Sequence, residues 1–209
     1  MPKLYLDRLD TLVAIGEGQD GYFTTQQAQQ AGLSLHSLVS LEQAGHLERE
    51  QYGLYRLARW PSSKRPGLWR AFLWAMRIDP HAAFSHRTAL ELHGVSDINP
   101  SKIDVTFPAS ARLRSIKPPS VVAHRRELPE PHVEDRDGLR ITTLYRTLLD
   151  LVSDGLARDA VADALDRCSS IELSSEESSQ VRAIYDLSDE TRKYLARTLA
   201  SARYVPEKA

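Results

Sequence analysis

The sequence predicts an α+β protein: an N-terminal winged helix-turn-helix, then a mixed α/β domain with a small sheet and a helical C-terminal part. Three observations predict it. Residues 21–58, GYFTTQQAQQAGLSLHSLVSLEQAGHLEREQYGLYRLA, carry two short helical patterns split by a glycine, then two strand-like runs. Residues 102–107, KIDVTF, alternate polar and apolar, which is the period of a strand. From Thr142 onward, capping residues and glycines punctuate one apolar-periodic helix after another.

The elements follow in order. Residues 4–16 read as an opening amphipathic helix with Leu4, Leu9, Leu12, Val13 and Ile15 apolar. Thr24 or Thr25 can cap the helix that follows, because a side-chain oxygen satisfies an orphan backbone N–H. Gly32 stops that helix, and Ser34 caps the next. Leu35, Leu38, Leu41 and Ala44 then recur in steps of three and are expected to form one core-facing stripe. Residues 46–50 and 54–58 are strand-like around a tip of Gln51, Tyr52 and Gly53, with Leu47, Leu54, Tyr55 and Leu57 as anchors.

Residues 60–66, WPSSKRP, mark a boundary by their prolines, serines and basic residues. The expected domains are therefore 1–60, the winged module, and 67–209, the C-terminal domain, helical from about residue 143. Residues 68–78 are strongly apolar for a helix, and residues 84–93 read as another, ended by Gly94. Residues 121–124 and 139–141 are further strand candidates, separated by a charged loop at 125–138. Thr142 or Thr143 caps a helix over 144–152, Gly155 separates it from 157–168, and Ser174 or Ser175 and then Ser188 start the last two.

Composition sets the limits. A chain of 209 residues, 42% hydrophobic and 26% charged, buries a real core and has the balance of an ordinary globular protein. The lone Cys168 excludes an internal disulfide framework and fits a reducing compartment. The charged start MPKLYLDRLD does not suit a signal peptide, and no apolar run approaches a membrane span. The expected location is the cytoplasm, with no membrane partner.

Charge is uneven. Residues 1–60 carry five Lys or Arg against seven Asp or Glu, residues 61–150 are net +4, and residues 151–209 are net −3. In the second helix of the winged module, His36, Ser37, Ser40 and Gln43 are expected to face outward, with hydrogen-bonding groups suited to base edges. Arg49, Gln51 and Arg56 on the wing would add phosphate contacts. A second basic surface is expected from Arg112, Arg114, Lys117, Arg125 and Arg126. The acidic balance of the first 60 residues opposes strong DNA binding and leaves a second reading open: a protein-docking winged helix that does not touch DNA.

Residues 84–108, FSHRTALELHGVSDINPSKIDVTFP, carry a Ser-His-x-Thr-Ala pattern at Ser85, His86, Thr88 and Ala89. Residues 138–151, GLRITTLYRTLLDL, carry Thr-x-x-Arg-Thr-Leu-x-Asp at Thr143, Arg146, Thr147, Leu148 and Asp150. Together with the winged segment, over about residues 5–170, they resemble the AbiEi family of antitoxins from type IV toxin–antitoxin systems. The resemblance implies a repressor that binds its own promoter and counteracts a nucleotidyltransferase-like toxin, the C-terminal domain carrying the antidote activity. Double-stranded promoter DNA and that toxin are the implied partners, and no cofactor is implied.

The same motifs read locally as structure. Ser85 can cap the helix bearing His86, and Arg146 and Asp150, four apart, would pair. His81, His86 and His93 lack the close spacing of a metal pair, so no metal is expected. No nucleophile–base–acid order, paired carboxylates or phosphate loop compels catalysis, so no enzyme is expected. A nuclease or transferase relative using His86, Arg87 and Asp104 is the remaining alternative.

Overall fold

Thr24 fixes the start of the second helix. Its hydroxyl accepts from the Gln27 backbone N–H, and the Gln27 side chain accepts from the Thr24 N–H, a closed capping box that starts helix α2 (Thr25–Gln30). Such local devices recur through the computed structural model, which describes residues 3–61, 67–113, 117–169 and 171–201. Packing divides the chain into two units, Met1–Trp74 and Ala75–Ala209, the division falling inside helix α4 (Leu68–Ile78). The composition boundary lies earlier, and its residues 62–66 are outside the described part.

The first unit opens with α1 (Lys3–Gly16), then β1 (Tyr22–Thr24), α2, α3 (Leu35–Gln43), β2 (Leu47–Gln51) and β3 (Leu54–Leu57). The sheet order is β1-β3-β2, all antiparallel. This is a winged helix. The strand β1 was not legible in the sequence: three residues are too few to show a period, and only pairing with β3 defines it. Gln51, expected at the hairpin tip, ends β2 instead. The core gathers Leu12, Phe23, Ala28, Leu33, Leu38, Leu41, Leu47, Tyr55 and Leu57, with Phe23 stacked on Tyr55.

One expectation about α3 fails. Leu38 and Leu41 are buried, but Leu35 is 53% exposed and Ala44 is also exposed. A three-residue step slips by about 60° per step around a 3.6-residue helix. The ends of a four-member series therefore leave the core face. The buried arc of α3 is Ser37, Leu38 and Leu41.

The second unit holds a mixed five-stranded sheet of order β6-β5-β4-β8-β7. Its strands are β4 (Ala83–Phe84), β5 (Ile103–Pro108), β6 (Val121–Arg126), β7 (Val133–Arg136) and β8 (Leu139–Thr142). The two strands anticipated on either side of the 109–120 segment do pair: β5 and β6 run parallel over six residues, from Ile103 opposite Val121 to Pro108 opposite Arg126. Two sequence assignments are corrected. Phe84 lies in a strand rather than in helix α5 (His86–His93), and the charged loop contains β7. Both strands are short, and their identity comes from their sheet neighbours.

Helices α6 (Leu144–Asp154), α7 (Arg158–Arg167), α8 (Ser175–Tyr185) and α9 (Asp189–Ser201) follow. Thr143 and Ser174 cap α6 and α8 as their positions suggest, the latter through a capping box with Glu177. Gly155 adopts the left-handed backbone that ends α6. Helix α6 is buried along nearly its whole length and packs with Leu90, Val95, Val161, Leu165, Val181, Ile184 and Ala196 into the core of this unit.

His93, at the end of α5, is buried and donates from Nε2 to the Thr142 carbonyl at 2.9 Å. Burial lowers its pKa from 6.5 to about 4, against the opposing pull of that carbonyl. Between these values only the unfolded chain takes up the proton. The contribution is therefore complete above pH 6.5 and is lost as pH falls toward 4, by roughly 3 kcal/mol at most. Urea unfolding at pH 7 and pH 4.5 should show the loss, and His93→Gln should flatten that part of the pH dependence.

Candidate nucleic-acid interface

Helix α3 is fixed by Ser34, whose hydroxyl accepts from the Ser37 backbone N–H at 3.1 Å. With Leu38 and Leu41 in the core, the outward residues are His36, Val39, Ser40 and Gln43. These lie at helical spacings of three, four and seven and form one stripe. Three of the four were anticipated as DNA-facing. Ser37 was too, but the structure corrects it: Ser37 is 4% exposed, and its hydroxyl lies 2.9 Å from that of Ser34. It braces the start of α3 and cannot reach a base. Sequence reading missed Val39, which is 43% exposed, because the eye assigns a valine to the core. The helical angle from Leu38 and Leu41 would have found it.

The wing places its basic residues unequally. Arg49 is exposed, with its guanidinium 5.7 Å from the ring centre of Tyr52, which is itself 80% exposed at the tip. Arg56 is half-buried: it stacks over Tyr22 and donates to the Pro61 carbonyl. Its position in the central strand β3 explains this, since both neighbouring strands flank it. Gln51 is half-buried at the bulge where the β2–β3 register shifts. Of the three wing residues anticipated to touch DNA, Arg49 has the free reach.

The second basic surface is only partly assembled. Arg112 and Arg125 are exposed, the latter donating to the Ala109 carbonyl at 2.7 Å. Lys117 donates to the Val121 carbonyl. Arg114 lies outside the described residues. Arg126 belongs elsewhere: successive strand residues face opposite sides, so next to outward Arg125 it turns inward. There it meets Asp150 at 3.3 Å and Asp154. It is a neutralised, half-buried cation rather than part of a surface patch.

That inward arginine joins the two sequence motifs. Asp150 also takes the Nε of Arg146 at 2.9 Å, and both residues are fully buried. Arg146 further donates to the carbonyls of Glu127 and Ala200, each at 2.9 Å. Asp154 accepts from Arg126, and His86 Nε2 lies 3.3 Å from its other oxygen. The His86 ring stacks on that of His124, centroids 3.8 Å apart. His124 Nε2 is 2.9 Å from the buried carboxylate of Asp104, which Arg87 also contacts at 3.3 Å. Burial pushes the Asp104 carboxyl up, but the His124 hydrogen bond and the charges of Arg87, His124 and His86 hold it below the usual carboxylate range. For Asp154, burial is likewise outweighed by His86 and Arg126, so it stays ionised.

Two details differ from expectation. Ser85 stands at the start of α5 but does not cap it; its hydroxyl accepts from Thr106 at 2.8 Å and lies 2.9 Å from His86 Nδ1. The three histidines weighed together in the sequence do not meet. His81 is exposed beside Glu130, and His93 is bound to Thr142, while His86 joins His124 instead.

Residues 10–58 match the family model described as transcriptional regulator, AbiEi antitoxin. Over these residues the winged module is similar to the AbiEi antitoxin regulators. The match lies within the first unit and agrees with the resemblance carried by the sequence motifs. The crystal structure of the RV2827C protein from Mycobacterium tuberculosis is similar with a TM-score of 0.53 and 16% identity, over 98% of this chain and 83% of that chain. At that identity the likeness shows the shared α+β fold alone. No curated protein matches the chain. Among the described residues, no helix is long and apolar enough to cross a membrane.

Proposed function

We propose that this AbiEi-type regulator binds its own promoter as duplex DNA and acts as the antitoxin to a nucleotidyltransferase-like toxin. The outward stripe of α3 carries the DNA half of this reading. His36, Ser40 and Gln43 offer donors and acceptors for base edges, and Val39 offers an apolar surface. Leu38 and Leu41 seat the helix in the core, so the stripe is presented on a rigid support. In a winged helix this second helix is the one that enters the major groove, and the wing meets the backbone. The family description as a transcriptional regulator supports the same assignment.

The toxin half rests on the family resemblance and belongs to the second unit. Its two motifs build a buried polar network, so the antidote surface must be sought among outward residues such as Arg112 and Arg125. These could equally supply phosphate contacts to offset the acidic winged module. That acidic balance favours one competing reading, a winged helix used for protein docking.

Arg49 separates the two. Arg49→Ala should weaken binding to specific and unrelated duplexes alike, and lower the slope of log affinity against log salt by about one. An unchanged slope would remove the wing from the interface.

A further inference from the structure

We propose that His86, His124 and Asp154 form a binding site for a divalent transition-metal ion of the Zn²⁺ class, with two imidazoles and one carboxylate as ligands. One ring nitrogen of each histidine and one Asp154 oxygen lie within 4.8 Å of one another. They come from three separate elements: the start of α5, strand β6 and the end of α6. The two imidazole planes now lie at 16° to one another, so one ring must turn for both lone pairs to meet an ion at the bond length of about 2.0–2.2 Å it requires.

The surroundings favour ligation over a plain hydrogen-bond cluster. Metal-binding histidines have one nitrogen held by an oxygen partner, which frees the other for the ion. Both histidines meet this condition. His124 Nε2 is held by the buried Asp104 carboxylate, which leaves Nδ1. His86 Nδ1 is held by the Ser85 hydroxyl, which leaves Nε2 aimed at Asp154. Since Ser85 Oγ can accept as well as donate, it supports the tautomer that ligation requires. Asp154 has its second oxygen oriented by Arg126. This outer layer is already complete.

The backbone adds a second sign of a constrained site. His86 has φ +50°, a left-handed conformation that a non-glycine residue adopts at a cost. It holds a fully buried imidazole against His124 and Asp154, and no helix cap results from it. Of the three ligands, His124 lines a cleft of about 410 Å³, together with Arg125, Arg126, Arg146 and Arg197. The ligand types set the class of ion. Imidazole nitrogens suit Zn²⁺, Co²⁺ or Ni²⁺, while a single carboxylate is too little oxygen for Ca²⁺ or Mg²⁺. Arg87, Arg126 and Arg146 offset Asp104, Asp150 and Asp154, so affinity comes from converging ligands rather than from net negative charge.

The test is a Co²⁺ titration of the metal-stripped full chain, read by its visible d–d absorption. The expected result is saturation at one ion per chain, with affinity lowered at least tenfold in Asp154→Asn and in His124→Ala. A second measurement keeps the proposal exposed if a variant fails to fold. On the unaltered chain, Zn²⁺ should shift the imidazole ¹⁵N resonances of His86 Nε2 and His124 Nδ1. No bound ion, absorption unchanged in folded variants, or shifts confined to other histidines would overturn the site.

Discussion

Arg146→Met should destabilise the protein by about 3–5 kcal/mol, the range for removing one partner of a buried ion pair. Arg146 is 1% exposed and Asp150 is wholly buried, so the charge left behind has no water to turn to. Three consequences add. Among the described residues, Asp150 keeps the longer contact from Arg126. The Ala200 carbonyl loses its donor, which loosens α9 from α6. The Glu127 carbonyl loses its donor just beyond β6. Against a typical total of 5–15 kcal/mol this is a large fraction, and urea unfolding should register it directly. Arg182→Ala is the contrast. Its pair with Asp166 is exposed on both sides, so the change should stay within about 1 kcal/mol. Equal effects would mean that the buried pair is not structural.

The second large effect belongs to helix α3. Combining Val39→Asp with Gln43→Ala should lower affinity for the promoter duplex by about 100-fold or more, since each lost base contact is worth ~1–3 kcal/mol. The aspartate also sets a negative charge among phosphates. Neither side chain enters the core, so the melting temperature should barely move. A folded double variant with unchanged gel shift would show that this face does not read DNA.

These two effects lie on opposite sides of what the sequence discloses. Local chemistry was legible: Thr24, Ser34, Thr143 and Ser174 cap helices because a hydroxyl near a free N–H acts within three residues. The Arg146–Asp150 pair was legible for the same reason, four residues apart on one helix. Partnerships made by the fold were not. Nothing near Arg126 says that it will face Asp150 and Asp154 rather than solvent; its direction follows from the pleat of β6. Likewise His86 meets His124 only because α5 and β6 converge. On α3 a three-residue count put Leu35 inside and Ser37 outside, and one turn of the wheel reversed both. Strands β1 and β7 escaped because so short a run has no period of its own.

The family match and the motifs point the same way, but they divide the molecule differently. The match covers the winged module, whereas both motifs lie in the second unit and build its interior. Their residues explain why that unit folds as it does. They do not by themselves mark where a toxin would dock. To test the proposed toxin contact, Arg125 is better suited to substitution than Arg126, which would carry its change into a buried network.

Helix α3 and the wing are proposed to read promoter DNA. Fluorescence anisotropy tests it most directly, comparing the full chain on its own upstream duplex and on a scrambled duplex across a salt series. Promoter recognition predicts binding to the upstream duplex at least ~10³-fold tighter than to the scrambled one, with both affinities falling as salt rises. Equal affinity for the two duplexes at every salt concentration would contradict it.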